Sequence, residues 1–95
     1  MAEERKYFVQ NISKEGLLLQ GSSIGSSIDM EVLIPPHAAH ASVKNNGRLN
    51  EGDLVLYDEK MRTIDSYILP IPELERLERM MVVSGAFVER KHPLY

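Results

Sequence analysis

The chain has 95 residues, with 11 Lys and Arg against 14 Asp and Glu and a formal net charge of -3. It therefore lacks the overall basic character of proteins whose main task is to neutralise phosphates. The absence of cysteine excludes disulfides, a thiolate nucleophile and any zinc site that needs a cysteine. No apolar run approaches the ~18 residues of a membrane span. We expect a cytoplasmic protein without membrane contact, or one within a virion if it is a phage component.

The length predicts a single small domain with two polar ends. Residues 1–6 are charged and predict a flexible N-terminal arm, and residues 89–95 predict a C-terminal tail. Aromatic and β-branched residues at 7–12 predict a first strand. A turn at residues 13–16 leads to a second strand at 17–20, and we expect these two strands to pair as a hairpin.

A loop of small residues follows the second strand, at residues 21–27. Its glycines and serines have little side-chain volume and high backbone freedom, which favours a flexible surface loop. It lacks the lysine of a P-loop and precedes a strand rather than a helix, so a phosphate site is disfavoured. We expect the loop to contact a partner protein, through Ser22, Ser23, Ile24, Gly25 and Ser26.

The middle of the chain predicts the central strands of the fold. Apolar residues alternate at 28–34, the pattern of a strand with one buried face, and two prolines end it. A short strand at 41–44 is followed by two turn signals, at Asn46-Gly47 and at residues 51–53, and then by an apolar strand at 54–57. A polar reversal at 58–60 leads to a strand at 61–69, which predicts a hairpin with the strand before it.

The last third of the chain predicts one helix and one strand. Prolines at 70 and 72 end the sheet, and a proline suits the first turn of a helix. Apolar Leu74, Leu77 and Met81 fall on one helical face, so we predict a short helix near residues 72–81. Residues 82–88 predict a final strand in which Gly85 allows a bulge or a close backbone approach.

Together these elements predict a mainly β protein. Six or seven short strands with turn signals every eight to twelve residues favour a small, partly open β-barrel of the SH3-like or OB-like type. A two-layer α+β sheet is the alternative.

One segment resembles the start of a strand in several small barrels. It comprises Gly47-Arg48-Leu49 followed by Gly52-Asp53-Leu54-Val55-Leu56, and it is similar to segments of initiation factor 1, co-chaperonin subunits and small phage tail or baseplate proteins. The loop that ends in Val32-Leu33-Ile34-Pro35 extends the similarity to the co-chaperonins. The match to initiation factor 1 is confined to about ten residues, and none of these families covers enough of the chain for functional residues to be carried over. Gly-Asp before an apolar strand is a feature that unrelated barrels share.

His37 and His40 form the one candidate metal pair, and Asp53, Asp58 or His92 would have to complete a three-ligand site. Two histidines in a loop rich in proline and alanine are more often exposed loop residues. Since no sequence signature brings a nucleophile beside a base, we expect neither an enzyme nor a cofactor. An enzyme with a site between subunits is the least favoured hypothesis.

Basic and aromatic residues near the central strands suggest an alternative function. Single-stranded nucleic acid binds to such surfaces on small barrels, and the candidates here are Lys44, Arg48, Arg62 and Tyr57. Acidic residues alternate with them in sequence, which is more typical of an ordinary solvated surface.

The sequence therefore favours a non-enzymatic structural or protein-interaction module. We expect it to self-associate or to join a larger assembly of protein subunits, for example of the phage or chaperone type, because an interface would extend its small core. A small β-barrel that binds nucleic acid is the alternative.

Overall fold

The computed structural model describes residues 4–21, 30–45 and 49–90 of the chain. These residues form seven strands and one helix. In chain order they are β1 (Glu4–Val9), β2 (Leu17–Gly21), β3 (Met30–Ile34), β4 (His40–Asn45), β5 (Glu51–Tyr57), β6 (Thr63–Pro70), α1 (Ile71–Ser84) and β7 (Phe87–Glu89).

The strands form two antiparallel sheets. Five strands make the larger sheet in the order β6-β5-β4-β1-β7, and β2 pairs with β3 in the smaller one. The predicted mainly β class with one short helix is thus confirmed for the described residues. These residues form no closed barrel, so the SH3-like or OB-like type stays a prediction.

The helix and the β2–β3 hairpin cover one face of the five-stranded sheet, which we call the inner face. Alternate residues of the large sheet point to this face because the side-chain period of a strand is two. The buried side chains there join those of the helix and the hairpin in one apolar core. Its members are Tyr7, Val9, Leu19, Val32, Ile34, Ala38, Ala41, Val43, Leu54, Leu56, Leu69, Leu74, Leu77, Met81, Ala86 and Phe87.

Gly52 marks the point where the helix lies closest to the sheet. A Cβ atom at this position would come within 2.5 Å of Cδ2 of Leu74, 3.0 Å of the Lys44 carbonyl oxygen and 3.2 Å of Cδ1 of Ile71. The absent side chain therefore admits the first turn of α1 against β5. Residues 51–53 were predicted as a turn, and that prediction is wrong because β5 already starts at Glu51 and Gly52 is a packing position inside it.

The hairpin is joined to the large sheet by the side chain of Tyr67 on β6. Its hydroxyl accepts a hydrogen bond from the backbone N–H of Leu33 at 3.2 Å and donates one to the carbonyl oxygen of the same residue at 3.1 Å. One tyrosine thus satisfies both backbone groups of a β3 residue, where a neighbouring strand would otherwise be needed.

The predicted pairing of the first two strands is wrong. The strand β1 pairs with β4 and β7, whereas β2 pairs only with β3. The predicted turn at residues 13–16 does exist, with Gly16 at a φ of 86° and its N–H bonded to the Ser13 carbonyl oxygen. The chain bends before this turn, at Asn11 with a φ of 61°, so the two strands enter different sheets.

Both ends of the described fold differ from the sequence prediction. The strand β1 begins at Glu4, inside the segment predicted as an arm, because its charged residues find partners in the fold as described below. The predicted strand at 82–88 is wrong over its first half, since α1 continues to Ser84. Gly85 ends the helix in the left-handed conformation with a φ of 85°, which is a common helix C-terminal signal.

The hairpin predicted across residues 58–60 is confirmed by the pairing of β5 with β6. Its turn is held by Asp58, whose Oδ1 accepts hydrogen bonds from the backbone N–H groups of Lys60 and Arg62 at 2.9 Å each. These bonds, with that of Arg62 the strongest, hold the pKa of Asp58 below its ordinary value despite an opposing effect of desolvation.

We expect Gly52→Ala to lower the free energy of unfolding by about 1–3 kcal/mol, because the added methyl group forces the helix away from β5. Chemical denaturation monitored by circular dichroism measures the loss. In a Leu74→Ala background the same substitution should have a smaller effect, since the closest contact is removed. Equal losses in both backgrounds would contradict the close approach, and Ser66→Ala at an exposed position of β6 serves as the neutral control.

Candidate interaction surface

The opposite face of the five-stranded sheet, which we call the outer face, keeps large apolar side chains accessible to solvent. Phe8 on β1 is 45% exposed, Val88 on β7 is 39% exposed, and Met61 before β6 is 46% exposed. A helix and a hairpin bury the inner face, so the two faces of one sheet have different environments. Large apolar residues grouped on one surface are typical of an interaction site, whereas single ones are ordinary.

Side chains cross the outer face in rows, because residues opposite each other on neighbouring strands point to the same face. The first row, which we call the aromatic row, consists of Val88, Phe8, His40 and Tyr57. The second, the cationic row, consists of Arg90, Lys6, Ser42 and Val55. The third, the acidic row, consists of Glu4, Lys44, Asp53 and Ile68.

Phe8 is the centre of the aromatic row. Its ring lies 5.5 Å from the ring of His40, tilted by 47°. The guanidinium carbon of Arg90 lies 5.5 Å from the centroid of the same ring, within the range of a cation–π interaction. Arg90 also reaches the sulfur of Met61, at 3.9 Å. These contacts join the aromatic and cationic rows in one continuous surface.

A small hollow of about 130 Å³ lies in this surface. Its polar lining includes the carboxylate of Glu4 as well as Lys6, Arg90 and the hydroxyls of Ser42 and Tyr57. Ser42 is only 2% exposed, and its Oγ lies 3.3 Å from the Tyr57 hydroxyl. Because either oxygen can donate in that bond, one of the two hydroxyl hydrogens is left for another acceptor.

The ring of His40 also lines this hollow. Burial lowers the pKa of His40 below its ordinary value, the charge of Arg90 lowers it further, and Asp58 acts in the opposite direction. The ring is therefore neutral at pH 7. Its Nδ1 atom is buried and has no hydrogen-bond partner among the described residues, which leaves one polar atom unsatisfied beneath the surface.

A second polar cluster lies on the inner side, between β1 and α1. The carboxylate of Glu78 accepts hydrogen bonds from Arg5, with Nε to Oε2 at 2.6 Å and Nη2 to Oε1 at 2.8 Å, and a third from the Tyr7 hydroxyl. The ring of Tyr7 also stacks on that of Phe87, with 5.2 Å between centroids. A groove of about 480 Å³ beside the cluster is lined partly by Ile71 and Leu74.

The hydrogen bonds of this cluster connect α1 to β1. Burial by itself would raise the pKa of Glu78. The hydrogen bonds from Arg5 and Tyr7, together with the charge of Arg5, hold it below its ordinary value. Burial and the bond to Glu78 raise the pKa of Tyr7 to about 12. A carboxylate already engaged by two donors is a poor general base, and a tyrosine with a raised pKa is a poor nucleophile. The cluster fastens the helix to the sheet.

The residues predicted as functional from the sequence are distributed over several places. Tyr57 and Lys44 lie on the outer face, in the aromatic and acidic rows. Arg62 lies in the β5–β6 turn, where its Nε bonds to Oδ2 of Asp58 at 2.8 Å. The remaining predicted residues, namely Ser22, Ser23, Ile24, Gly25, Ser26 and Arg48, lie outside the described residues.

The predicted histidine pair is divided between two environments. His40 lies in β4 on the outer face, whereas His37 is exposed in the preceding turn. Across residues 4–21, 30–45 and 49–90, no three side chains of His, Asp or Glu gather in a way that would hold a metal ion. The prediction that both are loop residues is therefore wrong for His40, which belongs to a strand.

Sequence reasoning missed the contributions of Lys6, Phe8 and Arg90. The signal was present in the alternation of β1, where Arg5, Tyr7 and Val9 point inward and the residues between them point outward. It was obscured because the charged start of this strand is typical of a solvated arm.

No family model matches the chain, and neither curated proteins nor solved structures give a significant match. Within the described residues, no helix has the length and apolar character needed to cross a bilayer. The functional proposal therefore depends on the chemistry of the surfaces themselves.

We expect Tyr7→Phe to lower the free energy of unfolding at pH 7 by about 1–3 kcal/mol, the range for a hydrogen bond to a charged group. Because the folded protein raises the pKa of Tyr7 from 10.0 to about 12, stabilisation by the neutral phenol is complete below pH 10 and is lost between pH 10 and about 12. Urea unfolding at several pH values should give a steeper alkaline loss for the wild type than for the variant. Parallel curves would show that Tyr7 ionises as it does in the unfolded chain.

Proposed function

We propose that the chain is a non-enzymatic protein-interaction module that self-associates or joins a larger assembly through its outer face. The observation that carries the proposal is the continuous exposed surface of Phe8, Val88, Met61 and Arg90. Aromatic residues, methionine and arginine are enriched in protein interfaces, and arginine and aromatic residues often dominate their affinity.

The shape of this surface favours a macromolecular partner over a small substrate. Ligand pockets usually measure about 300–1,000 Å³ and enclose most of the ligand, whereas the hollow beside Phe8 measures about 130 Å³. Two larger grooves lie elsewhere. One, of about 480 Å³, borders Glu78, whose carboxylate is engaged by Arg5 and Tyr7, and the other, of about 490 Å³, lies between residues 36–39 and the β5–β6 turn. Within the described residues, the hydroxyl of Ser42 bonds to that of Tyr57 and not to His40, whose buried Nδ1 has no partner.

The loop of Ser22, Ser23, Ile24, Gly25 and Ser26 stays a second predicted contact for the partner. An assembly of the phage or chaperone type is one example of the larger complex that the module would join. Of these proposed contacts, only the outer face consists of described residues.

Nucleic-acid binding is the alternative that a specific observation supports. Tyr57, Phe8 and His40 place three rings in the aromatic row, and Lys6, Lys44 and Arg90 lie on the same face. Stacked bases and phosphates would fit such a pattern. Glu4 and Asp53 share this face, and the net charge is -3, so we rank this function second.

The experiment compares Phe8→Ser with Leu49→Ser, because Leu49 is 88% exposed in the turn before β5. We expect the wild type to sediment as a species heavier than the 10.8 kDa monomer, or to be part of a heavier complex in native mass spectrometry of its source extract. Phe8→Ser should weaken that association by about tenfold or more, and Leu49→Ser should leave it unchanged.

A strict monomer at every concentration, together with the absence of any specific complex in the extract, would refute the proposed function. Equal effects of the two serine variants would refute the outer face as its site. Thermal unfolding of both variants establishes that they remain folded.

A direct assay decides the alternative. Binding of a single-stranded RNA 20-mer at low salt, weakened by Lys44→Gln and by added salt, would support the nucleic-acid function. Failure to retard the RNA at low salt would exclude it.

A further inference from the structure

Two positive charges lie side by side in the cationic row of the outer face. The backbone N–H of Arg90 bonds to the carbonyl oxygen of Lys6 at 2.9 Å, so these residues are neighbours on adjacent strands. Like charges in such positions destabilise a sheet. Among the described residues, Lys6 has Glu4 at 3.8 Å and Arg90 forms no ion pair. Glu4 also lines the hollow, so these three side chains carry one net positive charge there, which one incoming anion would balance.

The hollow beside these cations also supplies neutral donors. The hydroxyls of Ser42 and Tyr57 share one hydrogen bond, and the second hydroxyl hydrogen is available to an acceptor. Ser42 is held in place by burial, with 2% exposure. A cationic pair with a fixed hydroxyl beside it is a suitable arrangement for one carboxylate, since charge-assisted hydrogen bonds are stronger than neutral ones.

The aromatic row adjoins the same hollow and supplies an apolar contact. Phe8 and Val88 are opposite each other on β1 and β7, and both are partly exposed. Because rows are separated by two residues along a strand, the apolar and cationic positions lie about 7 Å apart. In an extended segment, two residues separated by one other residue span this distance and point to the same side.

We propose that the outer face binds an acidic segment of a partner protein, with an apolar side chain against Phe8 and Val88 and one Asp or Glu carboxylate in the hollow between Lys6 and Arg90. This inference rests on the proposed function, in which a protein docks on the outer face, and it adds the chemistry of the partner. The binding residues are Lys6, Phe8, Ser42, Tyr57 and Arg90.

Charge on the neighbouring row favours a single carboxylate over a chain of phosphates. Glu4 and Asp53 lie in the acidic row, two residues along their strands from the cationic row. One incoming carboxylate balances the single net positive charge of Lys6, Arg90 and Glu4 in the hollow, whereas a nucleic acid would also bring further phosphates towards Asp53. The volume of about 130 Å³ also suits one carboxylate group.

The test uses two peptides that differ in one charge and place the apolar and acidic residues two positions apart, acetyl-Leu-Ser-Asp-Ser-amide and acetyl-Leu-Ser-Asn-Ser-amide, titrated into ¹⁵N-labelled protein at fixed low ionic strength. We expect saturable shifts of the amide signals of Phe8, Ser42 and Arg90 with the Asp peptide. The Asn peptide should bind about tenfold more weakly, as is typical for the loss of a charge-assisted hydrogen bond.

Variants then identify the cations involved. Arg90→Gln and Lys6→Gln should each weaken binding of the Asp peptide by about tenfold and leave the affinity for the Asn peptide unchanged. Arg79→Gln on α1 and Lys14→Gln before β2 are matched controls at exposed positions away from the outer face, and they should bind like the wild type.

Several results would overturn the inference. They are an absence of saturable shifts on the outer face, equal affinity for the two peptides, and equal losses in the control variants. Tighter binding of a ten-nucleotide oligothymidylate at the same surface would replace the acidic segment with nucleic acid. If Phe8→Ser abolishes association while neither peptide binds, the proposed function is supported and this inference is refuted. If the Asp peptide binds to a strictly monomeric protein that is free of complexes, the proposed function is refuted.

Discussion

The buried carboxylate of Glu78 is the constraint on which the arrangement of this fold depends. A charged group inside a protein must be compensated by donors, and here Arg5 and Tyr7 supply all three hydrogen bonds. These donors belong to the first strand and the carboxylate to the helix that precedes the last strand. Because the side chain of Arg5 is 39% exposed, loss of one partner costs less than the ~3–5 kcal/mol of a fully buried pair. The cluster still connects the helix to the first strand and helps to fix where the helix lies across the sheet.

This placement explains why the two faces of the sheet differ. With the helix held over Arg5, Tyr7 and Gly52, the inner face is filled, and β2 and β3 complete the cover. On the outer face, Phe8, Val88 and Met61 stay accessible to solvent. Since a one-residue shift of β1 would exchange its two sets of side chains, the same ion pair that locates the helix also sets Lys6 and Phe8 on the outer face.

The sequence contained enough local information for the class of the fold, the β5–β6 hairpin and the start of the helix. Alternation, prolines and turn residues act over a few positions, and they predicted these features correctly. The pairing of β1 with β4 and β7 depends on contacts between distant residues, which local patterns do not encode. Gly52 resembled a turn glycine for the same reason, because its function is to make space for Leu74.

The outer-face site was only half predictable. Tyr57 and Lys44 were predicted because they are an aromatic and a basic residue in the centre of the chain, whereas Phe8 and Arg90 come from opposite ends and meet only after folding.

The bond from Tyr67 to Leu33 has a consequence for intermolecular contacts. Its hydroxyl already satisfies both backbone groups of that β3 residue, so a strand from another molecule would gain no hydrogen bonds there. An added strand from another molecule is therefore disfavoured at this position of the β3 edge.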